Sequence, residues 1–268
     1  MMRRFLWLPA LAGLAVVTGC PDDPYKAETW TKKLGDQGTT ERAVTELEHL
    51  GNPVAIDDLG KAWIAQAKPA RLLQVIISLA RPLTPEQADK DNFTDYAKTG
   101  RPASWSTALP YLKQALTEVD ENNRASVESA SQAADALGEA RQPEGLDALI
   151  EIVGRPVTGK LLSAQIAALR AIGKYSSDSA RAAAALIKLI DREPPPSPRS
   201  AKDREQSRSL ADKYNQFLAF TGAAINALAE LHVGTAAKTL VLSMYRTPEL
   251  FTQIRRALVA SGPAALLF

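Results

Sequence analysis

The chain has 268 residues, 46% hydrophobic and 6% aromatic, with 32 basic against 30 acidic side chains. Such a composition belongs to a folded globular chain rather than a disordered one. The balance gives no electrostatic case for nucleic acid, and the single cysteine, Cys20, excludes an intrachain disulfide and a thiolate-held metal cluster.

In chain order, residues 1–20 come first. Arg3 and Arg4 are followed by an apolar run from Phe5 to Val17 and then small residues, the order of a signal peptide. The run is too short for a comfortable membrane span. Val17-Thr18-Gly19-Cys20 resembles the lipobox of bacterial lipoproteins, an aliphatic residue and two small ones before cysteine. The resemblance implies a signal peptide over 1–19, cleavage before Cys20 and acylation of its thiol with palmitate-type chains. It further implies a protein held by lipid on the bacterial cell membrane or outer membrane, facing the periplasm or exterior. Acyl chains anchor by about 0.8 kcal/mol per buried methylene. An ordinary secretory signal with a chance cysteine, and an uncleaved anchor helix, are the alternatives. Removing two of the 32 basic residues, Arg3 and Arg4, with the leader leaves 30 of each sign. Residues 20–24 read as a tether.

From Tyr25 onward the sequence alternates short amphipathic helices and turns. Helices are expected over 25–34, from Thr39-Thr40 to Leu50, over 54–66 and over 70–80. Residues 81–105, with Pro82, Pro85, Gly100 and Pro102, read as an insertion loop. Helices resume at Ser106 to Val119, with Pro110 placed near the start, and then run to Gly138. In the stretch 142–173, Leu146, Leu149, Ile150 and Val153 make one stripe and Leu162, Ile166, Leu169 and Ile172 the next, closed by Gly154 and Gly173. A helix over 177–190 precedes a second, proline-rich insertion at 193–206. A long helix over 208–231 and a last pair at 236–245 and 251–260 follow.

Each helix is too short to hide its apolar stripe alone, so stacking must supply the cover. The fold expected is all-α: an α-solenoid of about six helix pairs with two insertion loops, occupying 25–268. The endings ELEHLG, AADALG and AALRAIG align, and Gly138 to Gly173 is a step of about 35 residues. With Arg71, Arg124, Lys160 and Arg255 near the start of second helices, the pattern resembles the HEAT-repeat family. That resemblance implies second helices on an inner surface used for binding.

Three motifs resolve into ordinary structure. Gly154 to Lys160 fits GxxxxGK, but Leu161 stands where the magnesium-binding hydroxyl belongs, so it reads as an inter-helix turn. Asp89 to Asp95 hints at calcium but lacks the sixth-position glycine and the twelfth-position acid. His49 and His232 stand alone, and no metal or cofactor is expected. No catalytic constellation stands out.

The reading is a non-catalytic, membrane-anchored scaffold for a protein partner of the bacterial cell envelope. Its partner-binding candidates are Arg124, Lys160, Gln165, Arg170, Asn226, Arg255 and Arg256 on the second helices. Phe93, Tyr96 and Trp105 are added as aromatic anchors of the first insertion. A ladder in which basic residues bond neighbouring repeats competes with the first set, and aromatics packed back on their own helices compete with the second. An enzyme subunit, revealed by stoichiometric metal, and an envelope glycan-binding module, revealed on a sugar array, are the alternatives of other classes.

Overall fold

The computed structural model describes residues 23–36, 38–198 and 204–262. The leader, Cys20 and residues 263–268 lie outside them. Thirteen α-helices follow in order: α1 (Ala27–Thr31), α2 (Thr40–Leu50), α3 (Ile56–Ala65), α4 (Ala70–Ala80), α5 (Pro85–Lys90), α6 (Trp105–Thr117), α7 (Arg124–Ala140), α8 (Pro143–Gly154), α9 (Leu162–Gly173), α10 (Ser179–Ile190), α11 (Arg204–Leu231), α12 (Ala237–Arg246) and α13 (Phe251–Ala260). Among the described residues there is no strand, and the one bridge joins Leu83 and Arg101.

The helices pack as six antiparallel pairs: α1–α2, α3–α4, α6–α7, α8–α9, α10–α11 and α12–α13. Each pair leans on the next, so the fold is an α-solenoid. Second helices form one row (α2, α4, α7, α9, α11, α13) and first helices from α3 onward form the other. Second helices touch each other more extensively than first helices do. Closer spacing along one row bends the array, with second helices on the inner side. One hydrophobic core runs from Trp30 through Trp63, Tyr175 and Phe220 to Ala257.

Small residues set the inner spacing. α7 buries Ala130, Ala133, Ala134 and Ala136, and α9 buries Ala164, Ala167, Ala168 and Ala171. Gly138 and Gly173 belong to this packing; Gly138 does not end its helix as expected, whereas Gly173 does. α7 continues to Ala140 and is closed by Arg141 in the left-handed region, while Gly154 and Gly173 are last helical residues. Gly51, at φ 64°, does cap α2 as expected.

The edge where first helices end and turn into second helices carries a polar ladder. Gln66 Nε2 donates to Leu34 O at 2.9 Å, and Lys68 pairs with Glu118. Arg155 Nη2 donates to Thr117 O at 2.6 Å, and Arg192 Nη2 to Gly154 O at 3.1 Å. Arg246 Nη1 lies 3.4 Å from Asp191 Oδ1. Donors thus sit at every junction, and two of them cap the last carbonyl of the preceding pair's first helix, where orphan C=O groups and the helix dipole favour a cation.

The first insertion is built, not loose. Thr84 caps α5 with a reciprocal bond to Gln87, and Leu83 and Arg101 exchange two backbone bonds of 2.9 Å at its neck. Gly100, at φ 71°, closes that neck, where a Cβ would meet Leu83 O. The absence of apolar periodicity concealed α5, which is held by capping and a single buried alanine, Ala88. Trp105 opens α6, and Pro110 lies inside that helix rather than at its start. α11 begins at Arg204, within the predicted second insertion.

Candidate partner-binding surface

The inner surface offers two adjoining grooves. The first, about 720 Å³, lies between α7 and α9. Arg124, Glu128, Ser131, Gln132 and Asp135 line it from α7, and Lys160 and Ser163 from the α9 side. The α7 residues recur at steps of three and four, which places them on one helix face. Asn123 fixes the start of that helix, its Oδ1 accepting from Ala125 N at 3.0 Å and Ser126 N at 3.4 Å. Lys160 Nζ donates to Asn122 Oδ1 at 2.6 Å, and Arg170 Nη2 lies 3.7 Å from Asp135 Oδ1. Gln132 Oε1 is buried without a hydrogen-bond partner.

The second groove, about 270 Å³, runs over α11 between α9 and α13. Ala219, Gly222, Ala223 and Ala227 form its floor, and Ile166, Arg170, Asn226, Glu230 and Gln253 its polar and apolar rim. Small side chains recess α11, so this part of the surface is concave at the scale of one polypeptide backbone. Together the grooves gather Arg124, Lys160, Arg170 and Asn226, all exposed. Arg255 and Arg256 are exposed on α13 and have no ion-pair partner among the described residues.

Gln165 is a correction. It is fully buried and points back, its Nε2 donating to Ile152 O and Arg155 O at 3.2 Å and lying 3.4 Å from Pro156 O. It closes the end of α8 and faces no partner. An amide at helical spacing reads the same whether it faces water or caps a neighbour, so position alone misplaced it.

The aromatic candidates turn inward as well. Trp105 is buried, and Tyr96 is half-buried with its hydroxyl pKa raised by that burial. Phe93 fills the space over Gly51, whose missing Cβ leaves room for the ring, and the Arg101 guanidinium stands 5.6 Å from the Phe93 centroid. Arg101 itself is 3% exposed. It donates from Nη1 to Gly51 O at 2.8 Å, from Nη2 to Ser78 O, and from Nε and Nη2 to Arg81 O at 3.2 and 3.1 Å. A buried cation is thereby met by carbonyls ending α2 and α4, though desolvation still lowers its pKa. These residues pin the insertion to the array.

The basic residues at second helices divide. Arg71 pairs with Glu48 and Lys160 bonds Asn122, both on neighbouring pairs, while Arg124 has no such partner among the described residues. The polar stripe of Glu128, Ser131, Gln132 and Asp135 was missed, although its three-and-four spacing opposite the alanines was available in the sequence. The GxxxxGK segment is the turn between α8 and α9, and the residues before it are helical. Among the described residues no three His, Cys, Asp or Glu side chains cluster as metal ligands, and no helix is long and apolar enough to cross a membrane. No protein-family model matches the chain, and no curated protein matches it.

Proposed function

We propose that this is a HEAT-like lipoprotein of the bacterial envelope, anchored through Cys20, whose inner surface binds a protein partner. The observation that carries the reading is the pair of adjoining open grooves on successive second helices, with exposed Arg124, Lys160, Arg170 and Asn226 in one continuous surface. Mixed charge, short polar side chains and a small-residue floor suit an extended protein surface. Arg124 and Asn226 take part in no ion pair with a neighbouring helix pair among the described residues, whereas Lys160 and Arg170 bond Asn122 and Asp135. The leader and the Val17–Cys20 motif support the anchor.

Two measurements test the reading. Cross-linked envelope extracts should yield one recurrent partner with the native chain and lose it with Arg124→Glu and Lys160→Glu together. Repeated recovery of nothing by the native chain overturns the scaffold. Labelled palmitate should enter the native chain but not Cys20→Ser; labelling of both refutes the anchor.

A further inference from the structure

The last pair carries a second surface, separate from the grooves. Seven large hydrophobic side chains are exposed among the described residues, and four of them lie on this pair. They are Leu242 and Tyr245 on α12, and Phe251 and Val259 on α13. Tyr245 is 84% exposed and Val259 76%. On α13, Phe251, Arg255 and Val259 recur at steps of four and share one exposed face, while Ile254 and Ala257 are buried and Leu258 packs partly against the core. At each earlier junction the next pair covers the corresponding side. No described element covers this one.

Charge selects the occupant. From Ala237 to Gly262 the basic residues are Lys238, Arg246, Arg255 and Arg256, and the sole acid is Glu249. Arg246 is matched by Asp191, and Glu249 accepts from the Tyr214 hydroxyl at 3.1 Å. Among the described residues Lys238, Arg255 and Arg256 have no carboxylate partner. A second copy meeting this face about a two-fold would set Arg255 against its own image, and like charges across an interface are costly. At the opposite end α2 exposes Glu41, Arg42 and His49, and Tyr25 is the one large hydrophobic exposed at the first pair among the described residues.

We propose that the outer face of α12–α13 docks an amphipathic helix of a partner protein, its apolar stripe flanked by Asp and Glu. The helix takes the place a further pair would take, with its stripe on Tyr245, Phe251 and Val259 and its acids beside Lys238 and Arg255. This surface and the inner grooves can each fail without the other.

The test is fluorescence anisotropy of the full chain in detergent with a labelled amphipathic peptide of about 18 residues, long enough to hold a helix. Its leucines follow three-and-four spacing and its flanks are glutamate; a twin carries lysine instead. The acidic peptide should bind saturably at micromolar concentration, with the twin at least about tenfold weaker. Val259→Ser with Tyr245→Ser should weaken binding by about tenfold or more, and Lys238→Glu with Arg255→Glu should reverse the preference. These positions are exposed, and an unchanged circular dichroism melt confirms folding. Equal binding of the two peptides, absence of binding, or indifference to Val259→Ser with Tyr245→Ser overturns the proposal. So does a dimer in sedimentation that Val259→Ser abolishes, which gives the face to a second copy. Binding that appears only after deletion of 263–268 gives it to the chain's own end and overturns the proposal equally.

Discussion

A methyl group on Gly138 would stand 2.8 Å from both the Cα and the Cβ of Ala171 in the next pair. Gly173 repeats the relationship one pair later, where a Cβ would fall 3.0 Å from the Cα of Ala227. Backbone-close contact between second helices therefore recurs along the inner row, and glycine is what permits it.

Gly138→Ala should destabilise the chain by about 1–3 kcal/mol, since the obstruction is backbone that cannot swing aside. Gly154→Ala is its control. It is also helical but has nothing within 4 Å of the added carbon, so it should be neutral or stabilise by about 0.5–1 kcal/mol. Urea denaturation of the two variants gives the comparison, and equal effects would refute the close-contact account.

Arg101→Met should cost about 3 kcal/mol, because Gly51 O, Ser78 O and Arg81 O lose a buried donor together. The insertion neck should open to limited proteolysis between Leu83 and Arg101 at the same time. Cleavage at the native rate would show that the guanidinium is dispensable for holding the loop.

Arg192→Met should lower stability by about 1 kcal/mol through loss of the cap on Gly154 O. Arg181→Ala, which removes an exposed pair with Asp147, should change it by less than about 0.5 kcal/mol. Thermal melts of the two variants rank them, and the reverse order would remove the edge ladder from the account of stability.

Tyr175 makes the fold sensitive to alkali. Its ring is fully buried, its hydroxyl donates to Leu137 O at 3.0 Å, and burial raises its pKa well above the ordinary value of 10.0. In the unfolded chain it ionises near pH 10. A raised folded pKa means its contribution is whole below pH 10 and is lost as pH climbs from there toward the folded value. Stability should fall by about 1.4 kcal/mol per pH unit in that range on this residue's account. Tyr175→Phe should be about 1 kcal/mol less stable at pH 7 and show a shallower alkaline slope. Parallel slopes would exclude Tyr175 as the source.

The architecture was readable because the helical stripes recur. Gly138 to Gly173 suggested the step, and the bonds Thr117–Arg155, Asn122–Lys160, Leu137–Tyr175 and Gly154–Arg192 each span 38 residues. Residues whose role depends on what approaches from another pair were not readable. Gln165 looks like a surface amide and is a buried cap, and Gly138 looks like a terminator and is a contact. Arg101 sits in a proline-rich segment with nothing to mark it as the buried clamp of two helix ends.

The inner row and the turn edge of the array are joined by different materials. Inner neighbours meet through alanine and glycine at backbone distance, which cannot stretch without breaking contact. Ladder neighbours are linked by long side chains such as Arg155, Arg192 and Arg246, whose rotamers can lengthen or shorten the reach. Strain applied along the row is therefore expected to open the turn edge while the alanine row holds its spacing. The chain is built to resist stretch along its inner row and to give at the edge where the turns lie.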